Sequence, residues 1–169
     1  MTMTVRSDSF KDGDYLAETR ILSAAFGFGC EGDNRSPHLA WSGAPAGTRS
    51  FAVTCFDPDA PTGSGFWHWL VVNISPDVTE LALDAGNPKT PKLPPGALQT
   101  RTDFGAPGYG GPCPPPGDHP HRYLFTVFAV GVDKLQVGAD TSAAVIGFQL
   151  HFNTLAKAAI MGLYKRGSA

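Results

Sequence analysis

Three short apolar runs dominate the hydropathy pattern: Ser50 to Phe56 (SFAVTCF), Trp69 to Ile74 (WLVVNI) and Tyr123 to Val130 (YLFTVFAV). Each is rich in aromatic or β-branched residues and is bounded by Gly, Pro and Asp clusters, which predicts central β-strands. In the third run one parity carries Tyr123, Phe125, Val127 and Ala129 and the other Leu124, Phe128 and Val130. Both faces are therefore expected to be buried, as in a packed sandwich. Weaker strand patterns lie at Thr19 to Leu22, at Leu39 to Trp41 and along a polar edge from Leu98 to Thr102. Helical spacing occurs only near the end, where Leu155, Ala158, Ala159 and Leu163 share a face and Asn153 or Thr154 could cap the start. The pattern predicts a mainly β protein with one or two short C-terminal helices.

Composition narrows the picture. The chain has 169 residues, 42% hydrophobic and 17% charged, enough apolar material for a core and the usual size of one domain spanning residues 1–169. Glycine and proline make up about a fifth of it, which favours turns and argues against a helical bundle. Thirteen basic and fifteen acidic residues give a net charge of -2, and no run of five like charges occurs, so nucleic acid is not an expected partner. The first fifteen residues lack the apolar core of a secretory signal and no stretch reaches 18 apolar residues, so neither export nor a membrane span is expected. Cys30, Cys55 and Cys113 form no CxxC pair and are odd in number, which predicts free thiols and a cytoplasmic location. Ten of the fifteen prolines fall between Asn87 and Pro120. Enclosed by strand patterns on both sides, this stretch is read as two rigid surface loops rather than a linker.

Polar clusters sit at the ends of the three strong strands: Asp57-Pro58-Asp59-Ala60-Pro61, His68, and His119-Pro120-His121-Arg122-Tyr123. If the first two strands are antiparallel and the third runs parallel to the second, Asp57, His68 and His121 meet at one sheet edge. Period-2 alternation puts His121 and Tyr123 on one face, and groups His68 with Leu70 and Val72. Each piece alone has a plain explanation: Asp-Pro-Asp-Ala-Pro is a good turn, and a single histidine is more often structural than functional. Their convergence is what suggests a pocket. Asp-x-Asp invites comparison with phosphatases that use an aspartyl nucleophile, but Pro61 stands where they need Thr or Val. Asp and His could ligate zinc or manganese, yet no spacing matches a zinc module, and neither metal nor cofactor is expected. No nucleophile elbow is present. Anion binding fits better: His and Tyr donors and the amides of Gly110 and Gly111 could hold a phosphate, the Asp pair could accept from an ammonium group, and Phe66, Trp67 and Trp69 could form apolar walls.

Taken together, DPDAPTGSGFWHWLVVN (Asp57 to Asn73), YGGPCPPPGDHPHRYLFTVFAV (Tyr109 to Val130) and SPHLAW (Ser36 to Trp41) resemble the signature regions of the phosphatidylethanolamine-binding protein family, in its bacterial Raf-kinase-inhibitor-like branch. The resemblance implies two antiparallel sheets in a Greek-key sandwich, short C-terminal helices and a small anion pocket. It implies pocket roles for Asp57, Asp59, His68, His121 and Tyr123, a wall of Gly110, Gly111 and Pro112, and closure by Tyr164. Phe66 stands where eukaryotic members have a tryptophan, and the loop from Gly111 to His121 is longer than theirs. The expected protein is a non-enzymatic binder of a phosphate-bearing molecule or phospholipid headgroup. The alternative is an inhibitor of a kinase or serine protease acting through its loops. The resemblance also admits a homodimer.

Overall fold

A computed structural model describes residues 2–167. In chain order the elements are β1 (Thr4–Arg6), 3-10 turns at Glu18–Arg20 and Ala24–Phe26, β2 (Leu39–Ser42), β3 (Ser50–Asp57), β4 (Phe66–Ile74), β5 (Glu80–Leu81), β6 (Leu98–Gln99), β7 (His121–Val130), α1 (Ala143–Asn153) and β8 (Thr154–Tyr164). The protein is mainly β, with two antiparallel sheets: a small one ordered β1-β2-β5 and a five-stranded one ordered β6-β4-β3-β7-β8. β4 folds back on β3, β6 extends the sheet beyond β4, and a long connection returns β7 to the free side of β3. That order is a Greek key, and it brings the end of β3, the start of β4 and the start of β7 to one edge.

The five-stranded sheet is buried on both faces, by different partners. Phe51, Val53, Cys55, Trp69, Val71, Phe125 and Val127 pack against Leu39, Trp41 and Leu81 of the small sheet. On the reverse face Ala52, Leu70, Val72 and Val130 meet Ala143, Ile146 and Leu150 of α1. Along β7 the inward parity is fully buried while Leu124, Thr126 and Phe128 are half-buried, because a single helix covers less of the sheet than a second sheet would.

Two predicted elements are corrected. The helix expected over residues 155–163 is strand β8, an 11-residue partner of β7 running from Thr154 to Tyr164. Leucine, alanine and lysine favour a helix by only a few tenths of a kcal/mol per residue. Pairing along all of β7 and burial of Ile160, worth roughly 1.5–3 kcal/mol by itself, outweigh that preference. The helix lies one segment earlier, at Ala143–Asn153, where the Ser142 hydroxyl accepts from the Val145 amide as an N-cap. At Thr19 to Leu22 there is a 3-10 turn followed by buried Ile21 and Leu22. Their backbone groups bond to Pro112, Gly32 and Asn34 rather than to a strand.

The thiol expectation is corrected as well: Cys30 and Cys113 form a disulfide, and only Cys55, buried in the core, is free. The two segments it joins already run together, since the Leu22 amide donates to the Pro112 carbonyl (3.0 Å). The proline-rich region is tied down along its length. Tyr109 is fully buried and its hydroxyl donates to the Arg20 carbonyl (2.7 Å). The Asn34 side chain bridges the Tyr109 carbonyl and the Gly111 amide.

Candidate functional site

β3 ends at Asp57, which pairs with Phe66 at the start of β4, and β7 begins at His121 on the other side of β3. Asp57 is 2% exposed. One of its carboxylate oxygens accepts from the Asp59 amide (2.8 Å) and the other from His121 Nδ1 (2.7 Å). His121 Nε2 meets a second carboxylate, Asp118 Oδ2, at 2.9 Å. An imidazole that donates from both nitrogens is a cation. Burial works against that charge, but hydrogen bonds to Asp57 and Asp118 outweigh it and hold the His121 pKa above the ordinary histidine value.

His68 reaches the same place by a route that alternation does not show. Cys55 pairs with Trp69 and Phe56 with Trp67, so His68 is the extra residue of a β-bulge. The bulge turns His68 away from Leu70 and Val72, which point to the α1 side, and sets its ring 5.3 Å from that of Tyr123. The expected grouping of His68 with Leu70 and Val72 is thus corrected. His68 Nδ1 lies 2.7 Å from the Gly110 carbonyl. A carbonyl only accepts, so Nδ1 carries the proton and Nε2 of the neutral ring is an acceptor. Burial keeps the ring neutral by lowering its pKa, against the opposing pull of the Gly110 carbonyl and Asp57. Tyr123 is fully buried, and desolvation together with the Asp57 charge pushes its phenol far above the usual range.

Asp57, His68, His121 and Tyr123 line a cavity of about 140 Å³. Its other walls are mostly apolar, including Leu22, Phe28, Pro61, Phe66, Phe104 and Pro115. Phe104 stands edge-on to Phe66 and His68, with centroids 4.7 and 5.4 Å away. The Cys30–Cys113 disulfide joins the segment carrying Leu22 and Phe28 to the one carrying Pro114 and Pro115, so it ties two neighbouring stretches of the lining together.

The other predicted site residues lie around this cavity rather than in it. The Asp59 carboxylate takes three bonds from the Arg122 amide and guanidinium (2.9 to 3.0 Å). The side-chain bond to Arg122 is the main reason its pKa falls to about 2. Asp59 therefore clamps the turn after β3 onto the start of β7. The Gly110 amide donates to the His68 carbonyl and the Gly111 amide to Asn34 Oδ1, so neither is free to hold an anion, and Pro112 has no amide proton. These glycines allow close approach: a Cβ on Gly111 would collide with the Arg20 carbonyl, and one on Gly110 with the Phe104 ring. The Tyr164 hydroxyl donates to Glu18 (3.0 Å) outside the pocket lining, and burial with the Glu18 carboxylate raises its pKa to about 12. Of the expected apolar walls only Phe66 faces the cavity. Trp67 packs on the α1 side, and Trp69 is buried in the core, donating to Gln99.

Sequence reading missed Asp118 and Phe104. Asp118 stands three residues before His121 in a turn closed by its own amide on the Pro115 carbonyl (3.2 Å). An Asp-x-x-His spacing ahead of a strand was the available signal.

A family model described as phosphatidylethanolamine-binding protein matches residues 6–165. The UPF0098 protein YbcL of Escherichia coli is 52% identical over 161 residues, covering 95% of this chain and 86% of that protein. The UPF0098 protein YbhB, also from Escherichia coli, is 48% identical over 162 residues, covering 96% and 99%. The crystal structure of YbcL, described as a new member of the mammalian PEBP family, superposes with a TM-score of 0.95 at 50% identity over 99% of this chain and all of that one. A carboxypeptidase Y inhibitor solved with its cognate proteinase shares the fold, with a TM-score of 0.58 at 18% identity over 98% and 84% of the two chains.

Proposed function

This chain belongs to the phosphatidylethanolamine-binding protein family, and on that footing we propose that it is a non-enzymatic binding protein whose pocket takes a phosphate-bearing group. Such a group is the phosphoethanolamine part of a lipid headgroup or a phosphorylated side chain of a partner. The observation that carries this is the His121 imidazolium, buried against Asp57 beside a small cavity of otherwise mostly apolar surface. An anion accepting from Nε2 of such a cation makes a charge-assisted hydrogen bond, stronger than a neutral one. Within the site the Asp pair is already committed to His121 and Arg122. His68 Nε2 is the acceptor left to meet a hydrogen donor on the ligand, whether an ammonium group or a protonated phosphate oxygen.

Base catalysis at His121 is disfavoured because both of its nitrogens are held by carboxylates, which leaves that ring no lone pair. The competing reading, inhibition of a kinase or serine protease through the proline-rich loops, draws only a likeness of fold from the carboxypeptidase Y inhibitor. Among the described residues no helix is long and apolar enough to cross a membrane. The cytoplasmic expectation rested on the absence of a secretory apolar core and on free thiols, and the Cys30–Cys113 bond removes the second of these supports. Such bonds are more common in oxidising compartments than in the cytosol.

The test is calorimetric titration of inorganic phosphate and phosphoethanolamine into the native protein and into Asp57→Asn/His121→Gln. That pair removes both charges together and leaves no lone buried carboxylate. Saturable binding by the native protein that is lost in the double variant supports the site. Unchanged phosphate binding by the double variant removes His121 from it.

A further inference from the structure

The two carboxylates on His121 are held very differently. Asp57 belongs to the core: its side chain is 3% exposed and both of its oxygens are bonded within the protein. Asp118 lies on the loop before β7, with its side chain 37% exposed. Its one hydrogen bond to another side chain among the described residues is the 2.9 Å contact with His121 Nε2. Gly117, directly before it, has a φ of 90° and open space around it. Asp118 can therefore swing into solvent by rotating its side chain, with no other side-chain hydrogen bond to break. Asp57 cannot.

Nε2 is the one N–H that His121 does not spend on Asp57, and therefore the donor an incoming anion would need. With Asp118 in place that donor is taken, and two negative groups surround one positive ring. We propose that Asp118 is a resident anion, holding the His121 Nε2 donor with its own carboxylate beside the cavity His121 lines, and that a phosphate-bearing ligand binds by displacing it from that nitrogen. This rests on reading the pocket as an anion site, and it adds what sets the strength of that site. A tethered carboxylate competes at a high effective concentration, so it weakens every free anion that must take the same donor. It also helps to keep His121 charged, so the cation is ready for exchange rather than having to be created by the ligand. Asp118 thus sets the threshold concentration at which the pocket fills.

The experiment compares inorganic phosphate binding by the native protein, by Asp118→Ala and by Asp118→Glu, with His121 ring resonances followed by NMR. It is run at pH 6 and below, with the His121 ring nitrogens read directly in each protein, because Asp118→Ala removes one of the groups that offset burial and keep the ring charged. Asp118→Ala should bind phosphate about tenfold or more tightly, since it removes both the competitor and a repelling charge next to the subsite. Asp118→Glu, which keeps the charge but not the geometry, should fall between the two. If the native protein binds phosphate at His121 and Asp118→Ala binds it equally or more weakly, the competitor role is overturned and the anion site stands. If neither protein binds phosphate and the His121 signals stay put in a folded protein, both fall together.

Discussion

The Cys30–Cys113 bond offers a quantitative test of how the pocket is held. It spans 83 residues, and closing a loop of that length removes denatured-state entropy worth about 4.5 kcal/mol. Cys55, the third cysteine, is buried and free, so a reductant acts on one bond only. With a guanidinium dependence of about 4 kcal/mol per molar for a chain of this size, the unfolding midpoint should fall by about 1 M. The assay is equilibrium unfolding of the oxidised protein, the reduced protein and Cys30→Ser/Cys113→Ser, with the two perturbed forms expected to coincide. A midpoint shift below about 0.2 M on reduction would refute the reasoning, because entropy of this size cannot vanish unless the native bond carries an equal penalty. The same bond joins neighbouring stretches of the cavity lining, so reduction should also broaden the NMR signals of Phe28 and Cys113 before it affects those of Trp69 in the core.

Further predictions concern the residues around the cavity. His121→Ala strands the buried Asp57 charge and should cost roughly 3–5 kcal/mol in denaturant unfolding, whereas Asp57→Asn/His121→Gln should cost clearly less. Stability should also bend with pH. The raised pKa of His121 gives a contribution fully present below the unfolded value near 6.5 and lost as pH rises through the folded one. The lowered pKa of Asp59 gives one present above about 4 and lost as pH falls towards 2. Thermal melting across pH 2 to 9 should therefore lose its alkaline limb in Asp57→Asn/His121→Gln and part of its acid limb in Asp59→Asn. An unchanged alkaline limb in the double variant would contradict the assignment to His121. Gly111→Ala should lower the unfolding midpoint by the equivalent of roughly 1–3 kcal/mol, through collision with the Arg20 carbonyl. A neutral effect would mean that the Arg20 to Leu22 segment yields more easily than its hydrogen bonds indicate.

What the sequence made legible was whatever rests on local chemistry. The strands β3, β4 and β7 are short, β-branched or aromatic and fenced by turn residues, and their antiparallel order alone sufficed to bring Asp57 and His121 together. What it concealed depends on tertiary placement. The stretch Leu155 to Leu163 carries helical spacing as well as the alternation of Ala156, Ala158, Ile160 and Gly162, and only the open edge of β7 decides between them. Helix α1 is apolar nearly all round, with Phe148 and Phe152 exposed, so it shows no polar stripe by which to find it. The bulge at His68 reverses a side chain without any glycine or proline to mark it. Two cysteines that are 83 residues apart pair because Leu22 and Pro112 hydrogen-bond, which no spacing rule captures. Asp118 stands at an Asp-x-x-His spacing before β7, but its place on His121 follows from a turn closed by the Pro115 carbonyl, which spacing alone does not show.

The most direct measurement of the central claim is an NMR titration of histidine-labelled protein with phosphoethanolamine at near-neutral pH, following the ring nitrogens of His68 and His121. Saturable shifts at His121 Nε2 and His68 Nε2, with both Nδ1 signals held by their partners Asp57 and Gly110, are the predicted result. Ring signals that do not move at millimolar ligand, in a protein that keeps its fold, would contradict the anion site and leave the loop surface as the place to look for a partner.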